Sequence, residues 1–305
     1  MELIPDHILK VVATAIPSTA AHARNPERNA QAQSRQTDCN DENERTIHRF
    51  LEDAARSEAR IVCFPETQTV GYRVDIATPQ TPVEPQRLSA LHDRLAQRCG
   101  QLGLACILGT ETPLESDPVG GRPYNSALVI SADGKIAGVH HKNKLTPLDA
   151  IAYSAGSTFE TFDLCGVKVG VVICFEGFRF PETTRECVRQ GAQLVFHPQN
   201  NTTRPNDWKI PVHHAMLVTR AAENTIWFAS CNMAHEPHQN CRSMVVAPDG
   251  LVHAQAELKR EQLVVADLDI SRATQAMYKF DTDGCAEMLF ANTVQRHEYA
   301  DAPAK

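Results

Sequence analysis

The amino-acid sequence predicts an α/β fold in a single domain over residues 1–305, and three observations support this. Strand-like and helix-like patterns alternate along the chain. Several pairs of short apolar runs flank glycine turns, as in β-hairpins. The 305 residues, 42% of them apolar, can bury a large core without a linker-like change in composition. Mixed βα units and hairpins predict sheets that helices cover on one face only.

The first third of the chain predicts three strands and two helices. Residues 8–14 form a first strand, and the polar stretch that follows to about residue 40 predicts an irregular insertion. A helix with one buried stripe follows, because apolar residues recur at helical spacing: Ile47, Phe50, Leu51, Ala54 and Ala55. After a strand at 60–64 and a proline-rich loop at 78–85, a second helix carries Leu88, Leu91, Leu95 and Cys99 and stops at Gly100. Residues 105–109 predict the third strand.

The rest of the chain predicts hairpins followed by further βα units. Predicted hairpins pair 127–130 with 136–139, and 160–164 with 168–174. The elements that follow are a helix at 181–189, a strand at 193–197, a helix at 211–224, a strand at 225–231, two strands around 248–250 and a strand at 262–269. The core therefore covers about 8–270, and the tail 271–305 has little periodicity.

A thiol stands where an apolar strand runs into a helix start. Cys174 follows the run Gly170-Val171-Val172-Ile173, and Pro181 and Glu182 suit the first turn of a helix. A strand end fixes the Cα of a nucleophile and exposes its sulfur beside backbone N–H groups. Taken alone, a cysteine in such a strand is more often part of the core.

A carboxylate and an amine stand at two other strand ends. Glu66 ends the run Ile61-Val62-Cys63-Phe64-Pro65-Glu66, and Lys142 lies in the basic cluster after Val139. Glu66 precedes Lys142 by 76 residues (142 minus 66), and Lys142 precedes Cys174 by 32 residues (174 minus 142). Because α/β folds keep their chemistry at strand ends, the three side chains are expected to meet.

The chain resembles the nitrilase, or carbon-nitrogen hydrolase, superfamily in five segments that occur in the family's order and spacing. They are Phe64-Pro65-Glu66, His141-Lys142-Asn143-Lys144-Leu145, Cys174 with Arg179-Phe180-Pro181-Glu182, Arg220-Ala221-Ala222-Glu223-Asn224, and the hairpin from Ser243 to Gly250. The resemblance covers roughly residues 8–270. It implies a four-layer αββα sandwich of two packed mixed sheets with outer helices, and a tail that contacts a second subunit.

The resemblance also implies a thiol mechanism in which three side chains divide the work. Glu66 takes the Cys174 proton, the thiolate attacks a carbonyl carbon, and Lys142 and the Phe175 N–H hold the oxyanion. The product is a thioester that water hydrolyses, and neither a cofactor nor a metal is required. Lys144 is the alternative to Lys142, because alternate residues of a strand share one face.

Two departures from the family pattern affect the substrate pocket. The turn from Cys174 to Arg179 is one residue longer than usual, and only Asp149 stands near the position of the family's second glutamate. The substrate-binding candidates are Tyr153, Glu176, Arg179 and Asn200. Weaker candidates in the same segments are Asn201, Arg204, Trp208 and His213.

Charge and cysteine usage restrict partners and compartment. A net charge of −7 and a pI near 6.0 argue against a nucleic-acid partner. Ten cysteines without a CxxC pair favour a reducing compartment, and no signal-like or membrane-spanning stretch is present in the sequence. We therefore expect a cytoplasmic protein. The resemblance implies a homodimer or larger homo-oligomer that acts on a small amide-type molecule.

The expected function is hydrolysis of a non-peptide C–N bond in a small linear amide or N-carbamoyl compound, with release of ammonia or an amine. A nitrilase, or an acyltransferase that passes the thioester to an amine, would use the same cysteine. A non-catalytic binding protein that keeps the fold is the alternative of a different class.

Overall fold

Two mixed β-sheets pack face to face in the described part of the chain. The computed structural model describes residues 8–15, 26–72, 84–114, 116, 121–201, 208–234 and 239–277, with the backbone alone for 8–15 and 26–40. The strands are β1 Ile8–Ala15, β2 Ile61–Cys63, β3 Ala105–Thr112, β4 Tyr124–Ile130, β5 Ile136–His141, β6 Thr161–Leu164, β7 Val167–Val171, β8 Leu194–Gln199, β9 Trp227–Asn232, β10 Met244–Val246, β11 Val252–Gln255 and β12 Gln262–Asp269. The helices are α1 Pro26–Arg56, α2 Pro85–Leu102, α3 Asp149–Ala152, α4 Phe175–Arg179, α5 Pro181–Arg189 and α6 Lys209–Ala222.

Each sheet has parallel strands at its centre and antiparallel strands at its edges. The first has the order β12-β1-β2-β3-β4-β5, in which β1, β2 and β3 run parallel. The second has the order β11-β10-β9-β8-β7-β6, in which β7, β8 and β9 run parallel. Parallel central strands bring their carboxyl ends to one edge, where α/β folds place their active sites.

Three buried clusters account for the four layers. The inner faces of the two sheets share one cluster, in which Ile61 and Ile107 of the first sheet pack with Val169, Val171 and Phe196 of the second. The outer face of the first sheet packs on α1 and α2, and that of the second sheet on α5 and α6. This confirms the predicted four-layer αββα sandwich.

Two sequence predictions about the helices were wrong. The stretch expected to be irregular contains the start of α1, which runs unbroken from Pro26, a residue well suited to the first turn of a helix. Helix α2 continues through Gly100 and is capped by Gly103, whose φ of 63° is left-handed. Gly100 instead permits close packing, since an added Cβ would lie 3.0 Å from the Asp133 carbonyl oxygen. The proline-rich loop at 78–83 and the tail from 278 lie outside the described residues.

Several predicted site residues lie in the loops that follow strand ends. Glu66 lies three residues beyond β2, Lys142 follows β5 directly, and Asn200 follows β8. Cys174 was predicted to end a strand, but β7 stops at Val171 and the thiol lies three residues farther on. The loops that leave neighbouring strand ends therefore build the site.

Candidate active site

Glu66, Lys142 and Cys174 come together at the strand ends. The Lys142 Nζ donates to Glu66 Oε1 at 2.6 Å, and both side chains are buried. The Asn200 backbone N–H donates to Glu66 Oε2 at 2.8 Å, and the Asn200 carbonyl oxygen lies 3.9 Å from the Cys174 Sγ. The thiol and the carboxylate therefore contact the same residue. Cys174 remains partly exposed.

The backbone of Cys174 is in an unusual conformation. Its φ of 45° and ψ of −104° are rare for a residue with a side chain, and such a conformation costs about 1–3 kcal/mol. The Cys174 N–H donates to the Pro198 carbonyl at 2.9 Å, which ties the turn to β8. Within the described residues, the N–H of Phe175 at the start of α4 has no hydrogen-bond partner. Strained backbone of this kind is typical of catalytic turns, where surrounding contacts maintain it.

Lys142, and not Lys144, points into the site. Its ammonium also contacts Asp149 Oδ2 at 2.9 Å, whereas the Lys144 side chain is exposed. Asp149 accepts a further hydrogen bond from the Thr146 N–H at 2.9 Å and one from the Tyr72 hydroxyl. The ammonium is therefore held between two carboxylates. The sequence left the role of Asp149 unassigned. In the structure its carboxylate pairs directly with the Lys142 ammonium.

Burial and charge set the protonation states of this cluster. Burial raises the pKa of Glu66. The charge of Lys142 lowers this pKa and the charge of Asp149 raises it, but the effect of burial is the largest. Burial alone would lower the pKa of Lys142, but the charges of Glu66, Cys174 and Asp149 outweigh it and raise that pKa. Burial and the Glu66 charge raise the pKa of the Cys174 thiol well above its ordinary value. The resting cluster therefore holds a thiol and an ammonium, and Glu66 is a stronger base than an ordinary carboxylate.

The Glu66 carboxylate has a third neighbour that sequence reasoning missed. The Asn125 Nδ2 donates to Glu66 Oε1 at 2.7 Å, and the Asn125 carbonyl accepts the Lys142 N–H at 2.8 Å. Asn125 thereby holds both the carboxylate and the lysine segment. Asn125 is the second residue of β4. The sequence does not reveal its role, because an asparagine near the end of a strand is usually part of a turn.

Glu176 is buried and both of its carboxylate oxygens are occupied by contacts within the protein, which does not support the substrate contact predicted for it. Its Oε1 accepts the Asn143 N–H at 2.6 Å and the Lys144 N–H at 3.3 Å. Its Oε2 accepts the Ile173 N–H at 2.7 Å and lies 2.9 Å from the His140 Nε2. All four neighbours belong to the segments that carry Lys142 and Cys174. Glu176 therefore joins these two segments beneath the site.

We expect Glu176→Gln to lower the free energy of unfolding by about 1–3 kcal/mol, because an amide NH₂ would face backbone N–H donors. Activity should fall with it. Denaturant unfolding measures the change, and Glu186→Gln is the matched control, since Glu186 is a partly exposed carboxylate on α5 paired with Arg189. A surface pair of this kind is worth about 0–1 kcal/mol. Equal stability of the two variants would contradict the joining role of Glu176.

The other substrate-binding candidates lie in different environments. The Tyr153 side chain is buried and stacks on Tyr72 with ring centroids 6.5 Å apart. Arg179 is exposed at the end of α4. Asn200 contributes backbone groups to Glu66 and Cys174, a role that side-chain reasoning did not predict. None of these placements tests a substrate contact, so the roles of Tyr153, Arg179 and Asn200 remain predictions.

The weaker candidates divide in the same way. His213 is buried, stacks on Phe178 and lies 3.2 Å from the Asn240 carbonyl oxygen through its Nδ1. Trp208 is exposed, Asn201 donates its backbone N–H to Asn232 Oδ1 at 3.0 Å, and Arg204 lies outside the described residues. The described residues contain no cluster of three or more His, Cys, Asp or Glu side chains that could hold a metal ion.

Comparison with known proteins decides the family. The model of the carbon-nitrogen hydrolase family matches residues 29–278, which include all three site residues. The chain belongs to the carbon-nitrogen hydrolase family. Membership gives the reaction class, hydrolysis of a C–N bond, and confirms the resemblance found in the sequence. No helix among the residues searched is both long and apolar enough to span a membrane.

Carbon-nitrogen hydrolases of known activity and structure resemble the chain along most of its length. An omega-amidase of Xenopus laevis is 28% identical over 73% of the chain and 81% of its own length. An (R)-stereoselective amidase of a Pseudomonas species is 29% identical over 73% of the chain and 78% of its own length. A solved amidase of Nesterenkonia superposes with a TM-score of 0.69 at 19% identity, over 95% of this chain and 99% of that one. This likeness shows a shared fold.

Proposed function

We propose that the protein is a thiol-dependent amidase that hydrolyses a small linear amide or N-carbamoyl compound and releases ammonia or an amine. Glu66 takes the proton of Cys174 as the sulfur attacks the substrate carbonyl carbon. The carbonyl oxygen becomes negative and is held by Lys142 and the Phe175 N–H. Glu66 then protonates the departing nitrogen as the C–N bond breaks, which leaves a thioester on Cys174. Water, deprotonated by Glu66, attacks this thioester and releases the acid.

The observation that carries the proposal is the shared contact of Glu66 and Cys174 with Asn200. A carboxylate with a raised pKa and a protonated thiol therefore contact the backbone of one residue. Proton transfer from Cys174 to Glu66 leaves the total charge of the buried cluster unchanged, so the attack requires no further charge separation there. Asp149 lies 2.9 Å from the Lys142 ammonium and keeps Lys142 charged when Glu66 becomes neutral.

Amidase activity among the relatives supports the choice of substrate class. The matched proteins of Xenopus laevis and Pseudomonas act on amides. One structure of the Nesterenkonia amidase has the acetamide moiety of fluoroacetamide attached covalently to its active-site cysteine. The sulfur of that cysteine is therefore a nucleophile. Attack of Cys174 on the carbonyl carbon of an amide, with loss of the amide nitrogen, would form the proposed acyl enzyme.

The test is an ammonia-release screen of the purified protein against linear amides, N-carbamoyl amino acids and nitriles. We expect ammonia release from an amide together with one equivalent of acid, or from a carbamoyl compound together with one equivalent each of carbon dioxide and the free amine. Turnover of nitriles alone would favour a nitrilase. Acyl transfer to an added amine in place of acid formation would favour an acyltransferase, and no turnover of any of them would favour a binding protein.

The raised pKa of Glu66 predicts the acid side of the pH–rate profile. Glu66 must be ionised to accept the thiol proton, so kcat/KM should rise with pH through a pKa above the ordinary carboxylate value of 4.5. Protonation of Glu66 below that pKa removes the base, and activity is lost. A kcat/KM profile from pH 4 to 9 measures this. An activity that stays constant down to pH 4 would contradict the role of Glu66 as the base.

The proposal includes a cytoplasmic homodimer or larger homo-oligomer in which the tail 271–305 contributes to the subunit contact. The described cysteines are free thiols, which fits a reducing compartment. Light scattering on the full chain and on a chain that ends at residue 277 would test the subunit contact.

A further inference from the structure

His197, on β8, lies directly behind the turn that carries the thiol. Its Nε2 is 2.9 Å from the Cys174 carbonyl oxygen, and its side chain is fully buried. A carbonyl oxygen can only accept a hydrogen bond, so the Nε2 atom carries the proton and donates it. Within the described residues this is a second histidine contact to the site, in addition to that of His140 with Glu176. The catalytic scheme above does not use the contact of His197.

The contacts on the opposite side of the His197 ring keep the proton on Nε2. Burial lowers the pKa of His197 to about 3, so the imidazole is neutral and its Nδ1 is an acceptor. The Ser230 hydroxyl lies 2.9 Å from Nδ1 and donates to it, and the Ser230 oxygen accepts from Gln199 Nε2 at 2.6 Å. Gln199 and Ser230 therefore determine which ring nitrogen faces Cys174.

The ring is held in place by close packing. An added Cβ on Gly177 would lie 2.7 Å from the Cδ2 and Nε2 atoms of His197, so α4 can approach the ring only because residue 177 is glycine. Phe178 meets the ring edge-on at 4.7 Å between centroids, and Phe228 covers it at 5.4 Å. The imidazole has little room to turn away from the Cys174 carbonyl.

The geometry of the peptide bond connects this contact to the substrate. In a trans peptide the carbonyl of Cys174 and the N–H of Phe175 point in opposite directions. A donor that holds the carbonyl on the β8 side therefore aims the Phe175 N–H away from β8. The Phe178 N–H also donates to the Cys174 carbonyl, at 3.2 Å, as the first bond of α4. Because the Cys174 backbone is strained, one such bond in a five-residue helix is a weak restraint on this peptide.

We propose that His197 is a positioning residue, which holds the Cys174–Phe175 peptide so that the Phe175 N–H stays aimed at the oxyanion. The inference rests on the proposed function, since it assigns His197 to the oxyanion step of that reaction. Ser230 and Gln199 help to position this peptide indirectly, because they hold the His197 ring. Loss of the His197 donor should reduce stabilisation of the transition state and leave substrate binding nearly intact.

The test compares His197→Leu, which removes the donor, with His197→Gln, whose Nε2 can reach the same carbonyl. For His197→Leu we expect kcat to fall about 10- to 100-fold, since complete removal of an oxyanion donor costs about 10²- to 10³-fold. KM should change less than about threefold, as for an interaction made mainly in the transition state. His197→Gln should recover most of kcat. Ser230→Ala should lower kcat in the same direction by less, which keeps the test available if His197→Leu does not fold.

Alkylation of Cys174 by iodoacetamide separates positioning from general damage. Alkylation displaces iodide and forms no oxyanion, so His197→Leu should keep most of its alkylation rate while amide turnover falls. His92→Leu is the matched control, because His92 is another buried histidine, bonded to Thr110 Oγ1 at 2.7 Å. His92→Leu should lower the stability of the protein. Its kcat, calculated per mole of protein whose Cys174 can still be alkylated, should not fall.

Each result bears on the inference in one direction. An unchanged kcat in His197→Leu, no recovery in His197→Gln, or equal losses of turnover and alkylation would overturn it. A wild-type protein that releases no ammonia would overturn the proposed function together with this inference. Wild-type activity with an equally active His197→Leu would overturn the inference alone.

Discussion

Cys174→Ala should abolish amide hydrolysis while the fold is retained. Removal of a catalytic nucleophile costs about 10⁴- to 10⁶-fold in kcat, because the alternative is direct attack by water. Cys174 is partly exposed, and the substitution removes a single side-chain atom, so we expect the fold to be retained. Ammonia release per mole of protein measures the activity, and circular dichroism measures the fold.

Cys165→Ala is the matched control for this variant. Cys165 is also a partly exposed free thiol with a positive φ, of 53°, but it lies in the turn between β6 and β7. It should keep full activity. If Cys174→Ala and wild type released ammonia at equal rates from any amide, the cysteine would have no part in that reaction.

Lys142→Met should cost both stability and activity. The substitution leaves Glu66 and Asp149 buried together without their shared cation, and removal of one partner of a buried ion pair destabilises by about 3–5 kcal/mol. It also removes an oxyanion donor, which costs about 10²- to 10³-fold in kcat. Denaturant unfolding and steady-state kinetics measure the two effects.

Two further variants separate these effects. Lys144→Met removes an exposed ammonium only two residues away and should leave both quantities nearly unchanged. Lys142→Met combined with Asp149→Asn removes one of the stranded charges, so it should recover stability but not activity. Full activity in that double variant would show that Lys142 is needed for folding alone.

Much of the fold could be predicted because its local signals are strong. The strand predicted at 8–14 is β1 at Ile8–Ala15, and the helix predicted at 181–189 is α5 at Pro181–Arg189. The first turns of α1 were missed because a polar helix without an apolar stripe has no pattern to detect. The end of α2 was misplaced because a glycine that permits close packing looks, in sequence, like a glycine that caps a helix.

Some residues of the site could be predicted from the sequence and others could not. Glu66, Lys142 and Cys174 could be predicted because each follows a strand of a fold whose strand ends converge. Sequence could not separate Lys142 from Lys144, since the path of the chain after β5 decides which ammonium is buried. Glu176 carried the signal of a pocket residue, but its position beneath the turn makes it a structural acceptor. His197 acts on a backbone carbonyl and Asn200 acts through its own backbone, and residue-type patterns reveal neither contact.

The central claim is that Cys174 carries the acyl group of an amide substrate between two half-reactions. Acid quenching during steady-state turnover, followed by mass spectrometry of the peptide that contains residue 174, tests it most directly. The account predicts a mass increase equal to the acyl group on that peptide in wild type and none in Cys174→Ala. Rapid ammonia release with unmodified Cys174, or with the acyl group on another residue, would contradict it.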